Sequence, residues 1–158
     1  MRGIVLALWL LACLGVGTLG GRWTGPEIPA WYRTLTKPSF NPPNWIFAPV
    51  WTTLYILMAV AVWLVTQSPD SPLRTLGLGL FVIQLALNLA WSWIFFRKHA
   101  LGSAAIEVAV LWCVIGATTL VFSRVSIVSA WLMAPYWGWV SFASILNATI
   151  WRLNPTHG

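Results

Sequence analysis

Acidic residues are nearly absent from this chain: only 3 of its 158 residues are Asp or Glu, and all charged residues together make up 8%. An ordinary soluble domain carries roughly 25% charged residues. Hydrophobic residues make up 59% of the chain, and the mean hydropathy is +0.78. A soluble domain of this length cannot bury so much apolar surface. The composition therefore excludes a soluble globular enzyme and also a disordered chain.

Cysteine and histidine are equally scarce, with two residues of each type. Cys13 and Cys113 lie in separate apolar segments, so we expect neither a disulfide framework nor a metal site. His99 and His157 are expected to be solvated, one in a connection and one at the C-terminus. The sequence shows no Ser-His-Asp set, paired carboxylates or phosphate-binding loop that would indicate hydrolytic chemistry.

The chain carries 9 Lys and Arg residues, which give a net charge of +6. They are scattered singly, a pattern that favours topology signals and contacts with anionic lipid headgroups over nucleic acid as a partner. Crossing the bilayer takes about 20 apolar residues. The intervals between the charges fit that length and lie at residues 4–21, 45–66, 76–96, 101–122 and 127–151. We therefore predict an all-α integral membrane protein, with one domain over residues 1–158 that forms a bundle of five transmembrane helices.

Basic residues also predict the orientation: six lie on one side of these spans and three on the other, which places the N-terminus outside and the C-terminus inside. The long connection 22–44 holds five of the ten prolines and is expected to be a functional lid. One alternative concerns the first span, because Leu10–Cys13 resembles a lipoprotein cleavage box. The apolar run continues to Gly21, which favours a retained helix.

Polar and aromatic side chains recur at helical spacing inside the predicted spans. The three faces that share this pattern are Gln84, Asn88 and Trp91; Trp51, Tyr55 and Met58; and Trp139, Ala143 and Leu146, with Asn147 beside them. Such faces suit a large, flat, mostly apolar ligand. Alternatives remain open: the aromatics could be core packing, and Asn88 and Asn147 could bond neighbouring helices. Gly17 and Gly21 could allow close helix packing, and Glu107 could relay protons, anchor a loop amide or pair with an arginine.

Three segments carry a resemblance to a known family. They read WYxxLxKPxFxPPxWxFxPxWxxLYxxM at residues 31–58, QLxLNxxWxxxFF at 84–96 and PYxxWxxxAxxLN at 135–147. In this order and with these gaps, they resemble the translocator protein family, also called tryptophan-rich sensory proteins or peripheral-type benzodiazepine receptors. Its members usually also have an acidic residue where Glu107 stands.

The resemblance implies a dimeric five-helix bundle with a ligand pocket near the long loop. Family ligands include protoporphyrin IX, haem, isoquinoline carboxamides and benzodiazepines, and in animals cholesterol. The positions that match the family's pocket are Tyr32, Pro42, Phe47, Ala48, Trp51, Asn88, Trp91, Trp139, Ala143 and Leu146. The animal sterol motif requires a tyrosine between Asn147 and Arg152; none is present, so we do not expect sterol binding by that route.

These features predict a membrane binding protein, a sensor or carrier for porphyrin or haem that requires no other cofactor. One alternative implied by the resemblance is a light-dependent porphyrin-degrading enzyme in which Trp51 and Trp139 would be the catalytic pair. Another is a proton-coupled exporter that uses Glu107, although five spans show no repeat of equal halves. The lack of an N-terminal targeting extension favours a bacterial inner membrane over an organelle.

Overall fold

Five long helices account for most of the chain. The computed structural model describes residues 2–157, with the backbone alone for His157. The helices are α1 (Arg2–Glu27), α2 (Phe47–Thr66), α3 (Pro72–Ser92), α4 (Leu101–Val125) and α5 (Ile127–Leu153). A π-helical turn, Trp93–Arg97, extends α3, and short 3-10 turns lie at Tyr32–Thr34, Asn44–Ile46 and Pro155–His157. The described residues form no β-strand, which confirms the predicted all-α class.

Four of these helices are long and apolar enough to cross a bilayer: α1, α2 with its preceding turn, α3 with its π turn, and α4. Each of these segments has 23 to 26 residues, against about 20 needed for one crossing. Helix α5 has 27 residues but is not in this set, because it contains many aromatic, small and polar residues. The helices thus have the composition of a membrane protein.

The first helix is longer than predicted. The sequence placed the end of the span at Gly21 and the start of the connection at Arg22, but α1 continues to Glu27. A charged residue ends an apolar run without ending a helix, so α1 continues past Arg22 and contains Pro26 near its end. A second proline three residues later again disfavours helical backbone in the residue before it. Pro29 follows Ile28, whose amide still donates to the last turn of α1. The long loop therefore begins at residue 28. The other four predicted intervals lie within four residues of the helix bounds once the π turn is counted with α3.

Glycines mark the places where helices approach most closely. A Cβ atom added at Gly17 of α1 would lie 2.6 Å from the ring of Tyr55 on α2. Between α4 and α5, Gly102 faces the indole of Trp151 and Gly116 faces that of Trp137, with added Cβ atoms 2.9 and 2.8 Å from those rings. The predicted close packing at Gly17 is therefore present, and α4 and α5 pack against each other along their length.

The long loop is held by its own polar side chains. Tyr32 donates its hydroxyl to Asn41 Oδ1 at 2.6 Å, and burial raises the pKa of Tyr32 to about 12, so the phenol keeps its proton. Lys37 Nζ donates to the backbone oxygens of Tyr32 and Leu35, each at 2.8 Å, and burial lowers the pKa of Lys37. These contacts fold the first half of the loop onto itself.

A second set of bonds ties the loop to the end of α5. The amide of Thr36 donates to Asn154 Oδ1 at 3.0 Å, and Asn154 Nδ2 donates to the oxygen of Thr36 at 2.9 Å. The same Nδ2 also donates to the oxygen of Ile150 at 2.8 Å. One asparagine thus joins segments that are 118 residues apart in the chain.

The crossing of α1 and α2 can be tested with a matched pair of glycines. Gly17→Ala should lower the free energy of unfolding by about 1–3 kcal/mol, because its methyl group would overlap the buried Tyr55 ring. Gly15 has no atom within 4 Å of an added Cβ, so Gly15→Ala should raise it by about 0.5–1 kcal/mol through helix propensity. Unfolding in detergent micelles measures both. A Gly17→Ala protein as stable as the parent would contradict the close crossing.

Candidate ligand-binding site

A cavity of about 400 Å³ lies at the loop end of the bundle, between α1, α2, α3 and α5. None of its lining residues is charged. Phe95, Leu146 and Asn147 form a buried wall on the α3 and α5 side, and buried Tyr32 of the loop closes the end. Small-molecule sites typically measure about 300–1,000 Å³ and are mostly apolar. The cavity therefore has the size and chemistry of a site for a neutral or mostly apolar ligand.

Eight of the ten predicted site residues meet at this cavity although they come from the loop and three helices. They are Tyr32, Phe47, Ala48, Trp51, Trp91, Trp139, Ala143 and Leu146. Pro42 and Asn88 do not line it. Pro42 lies farther along the loop, where its backbone oxygen accepts from Asn41 Nδ2 at 3.2 Å. Asn88 lies behind the cavity wall.

The tryptophans of the cavity differ in their hydrogen bonding. Trp91 Nε1 donates to Asn147 Oδ1 at 3.1 Å, so this indole is fixed as part of the wall. The half-buried indoles of Trp51 and Trp139 have no hydrogen-bond partner among the described residues. Trp139 meets Phe47 edge to face, with ring centroids 6.2 Å apart. Two oriented aromatic rings with free N–H groups are thus available to a bound molecule.

Asn88 belongs to a buried network that joins three helices. Its Oδ1 accepts from the Tyr55 hydroxyl at 2.5 Å, and its Nδ2 donates to the Tyr136 hydroxyl at 3.1 Å. Asn147 acts similarly, since its Nδ2 donates to the oxygen of Leu101 at 3.0 Å while its Oδ1 holds Trp91. The side chains of Asn88 and Asn147 therefore both make interhelical hydrogen bonds, which is one of the alternatives that their spacing left open. Asn147 also lines the cavity.

Sequence reasoning assigned no residue of α1 to the site, yet α1 forms one entire wall. Gly17, Gly21 and Gly25 are spaced by four residues on one face of the helix and line the cavity with neighbouring small residues. An added Cβ at Gly21 or Gly25 would have no atom within 4 Å. The spacing of Gly17 and Gly21 is the available signal in the sequence, and on its own it indicates close helix packing. Packing accounts for Gly17, whereas Gly21 and Gly25 leave space for a ligand.

The cavity is open on the side between α1 and α2. Past the crossing at Gly17, the lining residues Thr18 and Gly21 of α1 and Ala48 and Thr52 of α2 are exposed. The hydroxyls of Thr18 and Thr52 each donate to a backbone oxygen one turn earlier at 2.8 Å. The opening therefore presents mainly apolar surface and backbone-bonded hydroxyls.

Glu107 lies apart from the cavity, to whose lining α4 contributes no described residue. Its two carboxyl oxygens are buried and have no hydrogen-bond partner among the described residues. It makes neither of the predicted structural contacts, to a loop amide or to an arginine. The exporter alternative, in which Glu107 carries protons beside a cargo, therefore gains no support from this cavity.

The two histidines were both expected in solvent. His99 is instead half-buried and contacts Glu27 and Trp31, while the side chain of His157 lies outside the described residues. Among the described residues, no group of three or more His, Cys, Asp or Glu side chains is arranged to hold a metal ion.

Comparison with protein families matches residues 9–152 to the TspO/MBR family. The chain belongs to this family. It is similar to the tryptophan-rich protein TspO of Chlorobaculum tepidum, at 44% identity over 153 residues, 96% of this chain and 97% of that protein. It is similar to protein CrtK of Rhodobacter capsulatus, at 38% identity over 96% of this chain and 93% of that protein.

The human translocator protein is 38% identical over 142 residues, which cover 89% of this chain and 83% of that protein. Membership of the TspO/MBR family confirms the resemblance inferred from the three sequence segments. Together with the apolar helices, it shows a membrane protein with several membrane-crossing helices.

The role of Asn88 can be tested by replacing it with an apolar residue of similar size. Asn88→Leu leaves the buried hydroxyls of Tyr55 and Tyr136 without partners, at about 1–3 kcal/mol each. We therefore expect a loss of about 2–5 kcal/mol in unfolding free energy, measured in micelles. A variant with unchanged stability and strongly reduced ligand affinity would instead make Asn88 a ligand contact.

Proposed function

We propose that this TspO/MBR protein binds flat tetrapyrroles, such as protoporphyrin IX or haem, and other flat apolar molecules such as isoquinoline carboxamides and benzodiazepines. The observation that carries the proposal is the uncharged cavity in which the free indoles of Trp51 and Trp139 lie among aromatic neighbours. An aromatic macrocycle can stack on such rings for roughly 0.5–1.5 kcal/mol each beyond burial. The unpaired N–H groups can donate to its carboxylate or carbonyl oxygens.

The shape of the cavity supports a flat ligand in particular. Aromatic side chains of α2 and α5 form part of the wall, whereas α1 contributes the bare backbone at Gly21 and Gly25. Such a site has room for a planar molecule beside α1. The open side between α1 and α2 gives a membrane-dissolved molecule a direct approach. The name of the human relative, translocator protein, accords with a carrier, and a sensor would use the same binding step.

Filling the cavity at Gly21 provides the decisive test. Gly21→Leu should raise the Kd for protoporphyrin IX at least about tenfold, equivalent to ~1.4 kcal/mol, because the new side chain would occupy space used by the ligand. Gly15→Leu is the matched control on the same helix, since Gly15 lies outside the lining and also has open space at its Cβ. Titration of the purified protein by tryptophan quenching measures both. Equal Kd values for the two variants, or a parent protein that does not bind, would contradict the proposal.

A second candidate function is light-dependent porphyrin breakdown, favoured by the position of two oxidisable indoles, Trp51 and Trp139, on one cavity. Illumination of protoporphyrin-loaded protein in air separates the two functions. An enzyme would lose porphyrin absorbance, and Trp51→Phe or Trp139→Phe would stop this loss while binding persists. Trp63→Phe is the control, because Trp63 Nε1 donates to the oxygen of Arg2 at the opposite end of the bundle. A binding protein would leave the absorbance unchanged.

We propose further that all five helices cross a bacterial cytoplasmic membrane, with the N-terminus outside and the C-terminus inside, in a homodimer. Six basic residues lie at the loop end of the bundle and three at the other end. In a Cys113→Ser background, Ser39→Cys in the loop should resist a membrane-impermeant maleimide in intact cells. Asp70→Cys, at an exposed position of the opposite end, should react. Labelling of Ser39→Cys with protection of Asp70→Cys would reverse the orientation.

A further inference from the structure

His99 has a strained backbone at the corner between α3 and α4. Its φ angle is 56°, in the left-handed region, and it is the single described non-glycine residue with positive φ. Few non-glycine residues adopt this conformation; His, Asn and Asp do so more often than the others, and it persists where the surrounding contacts hold it. The contacts of the His99 side chain are therefore informative.

The imidazole of His99 joins two other segments. It stacks on the indole of Trp31 in the loop, with ring centroids 4.0 Å apart and planes at 14°. Its Nε2 lies 3.0 Å from Oε2 of Glu27, the last residue of α1. One side chain thus connects the α3–α4 corner, the loop and the end of α1.

These contacts lie directly behind the cavity. Ile28, which follows Glu27, lines the cavity, and so does Phe95, on which Trp31 packs edge to face with centroids 5.7 Å apart. Both partners of His99 are therefore adjacent to residues that line the cavity, Glu27 to Ile28 and Trp31 to Phe95. Helix α1 has no hydrogen bond to α2 among the described residues of this end, so the contact at Glu27 is an important restraint on it.

We propose that His99 and Glu27 form a proton-sensitive latch, which positions the end of α1 and the loop against the cavity and tightens when His99 is protonated. Imidazole is the side chain that ordinarily titrates in the physiological range, near pH ~6.5. In the neutral ring, the tautomer with its proton on Nε2 donates a hydrogen bond to the Glu27 carboxylate. Protonation places a full positive charge on the donor and turns this bond into a stronger ion pair. The latch is therefore tighter with the imidazolium than with the neutral ring.

Among the described residues, Glu27 is the one carboxylate within 4 Å of a His99 ring nitrogen. The other charged groups near the latch are not carboxylate partners of His99. On the same corner, Arg97 is exposed and the Lys98 ammonium lies over the ring of Trp93 at 4.8 Å. The remaining charged groups on the packed elements are exposed Arg22 on α1, exposed Arg33 and the bonded Lys37 in the loop, Glu107 on α4 and exposed Arg152 on α5.

Hydrogen–deuterium exchange tests the latch without any ligand. His99→Asn removes the imidazolium but keeps a residue that tolerates positive φ. At pH 6, exchange in residues 23–36 should be about two- to fivefold slower in the parent protein than in His99→Asn, as expected for a partly exposed ion pair. At pH 8 the difference should shrink. Comparing the proteins at the same pH cancels the intrinsic rates.

Glu27→Gln is the partner variant and should remove the same pH-dependent protection while His99 remains. A difference of equal size at both pH values would show that His99 acts through packing alone and would overturn the latch. Equal exchange in all three proteins would overturn it as well.

The consequence for ligand release rests on the proposed tetrapyrrole binding. Protoporphyrin IX should dissociate about two- to fivefold more slowly from the parent protein than from His99→Asn at pH 6, with a smaller ratio at pH 8. The titration of protoporphyrin itself is common to both proteins and cancels. If the parent does not bind protoporphyrin, the proposed function fails, and the exchange measurement still decides the latch. Binding with a pH-independent ratio would overturn the control of release.

Discussion

The packing of this bundle depends on the single side chain of Tyr55. Its hydroxyl donates to Asn88 at 2.5 Å, and Asn88 in turn reaches Tyr136, so α2, α3 and α5 are joined by polar bonds that the surrounding apolar residues cannot replace. Its ring lies against Gly17, where α1 approaches α2 too closely for a Cβ atom. Inside an apolar bundle an unpartnered hydroxyl is costly, so this network also fixes the rotation of each helix.

The cavity follows from this arrangement. Tyr55 holds α1 and α2 together at Gly17, and the Trp63 indole joins them again at the far end through the oxygen of Arg2. Toward the loop, no comparable contact between described residues joins the two helices, and small residues of α1 lie across from the aromatic rings. The same ring of Tyr55 that closes the bundle on one side thus lines the open space on the other.

The helices could be predicted from the sequence because charged residues lie near both ends of each apolar run. Most of the cavity residues could be predicted because the family motif consists of side chains with distinctive chemistry. The sequence did not predict the end of α1 at Glu27, since that end depends on local backbone sterics near Pro29 and not on where charge begins. Helical spacing could not show whether Asn88 contacts a ligand or bonds a neighbouring helix, because a side chain in either role lies on the inward face of α3. Gly21 contributes by having no side chain, so its signal in the sequence is the glycine spacing, which fits helix packing equally well.

The loop is ordered by its own hydrogen bonds, which do not require a ligand. Lys37 folds the loop backbone, Asn154 fixes Thr36 to the end of α5, and Tyr32 holds Asn41. A ligand that enters such a preorganised site avoids most of the entropy cost of ordering the loop, so its affinity depends on stacking and burial. The contact between His99 and Glu27 is a further restraint, in which an imidazole faces a carboxylate at the end of α1. In the proposed latch, ligand exchange would therefore respond to protons through this one contact, without unfolding of the loop.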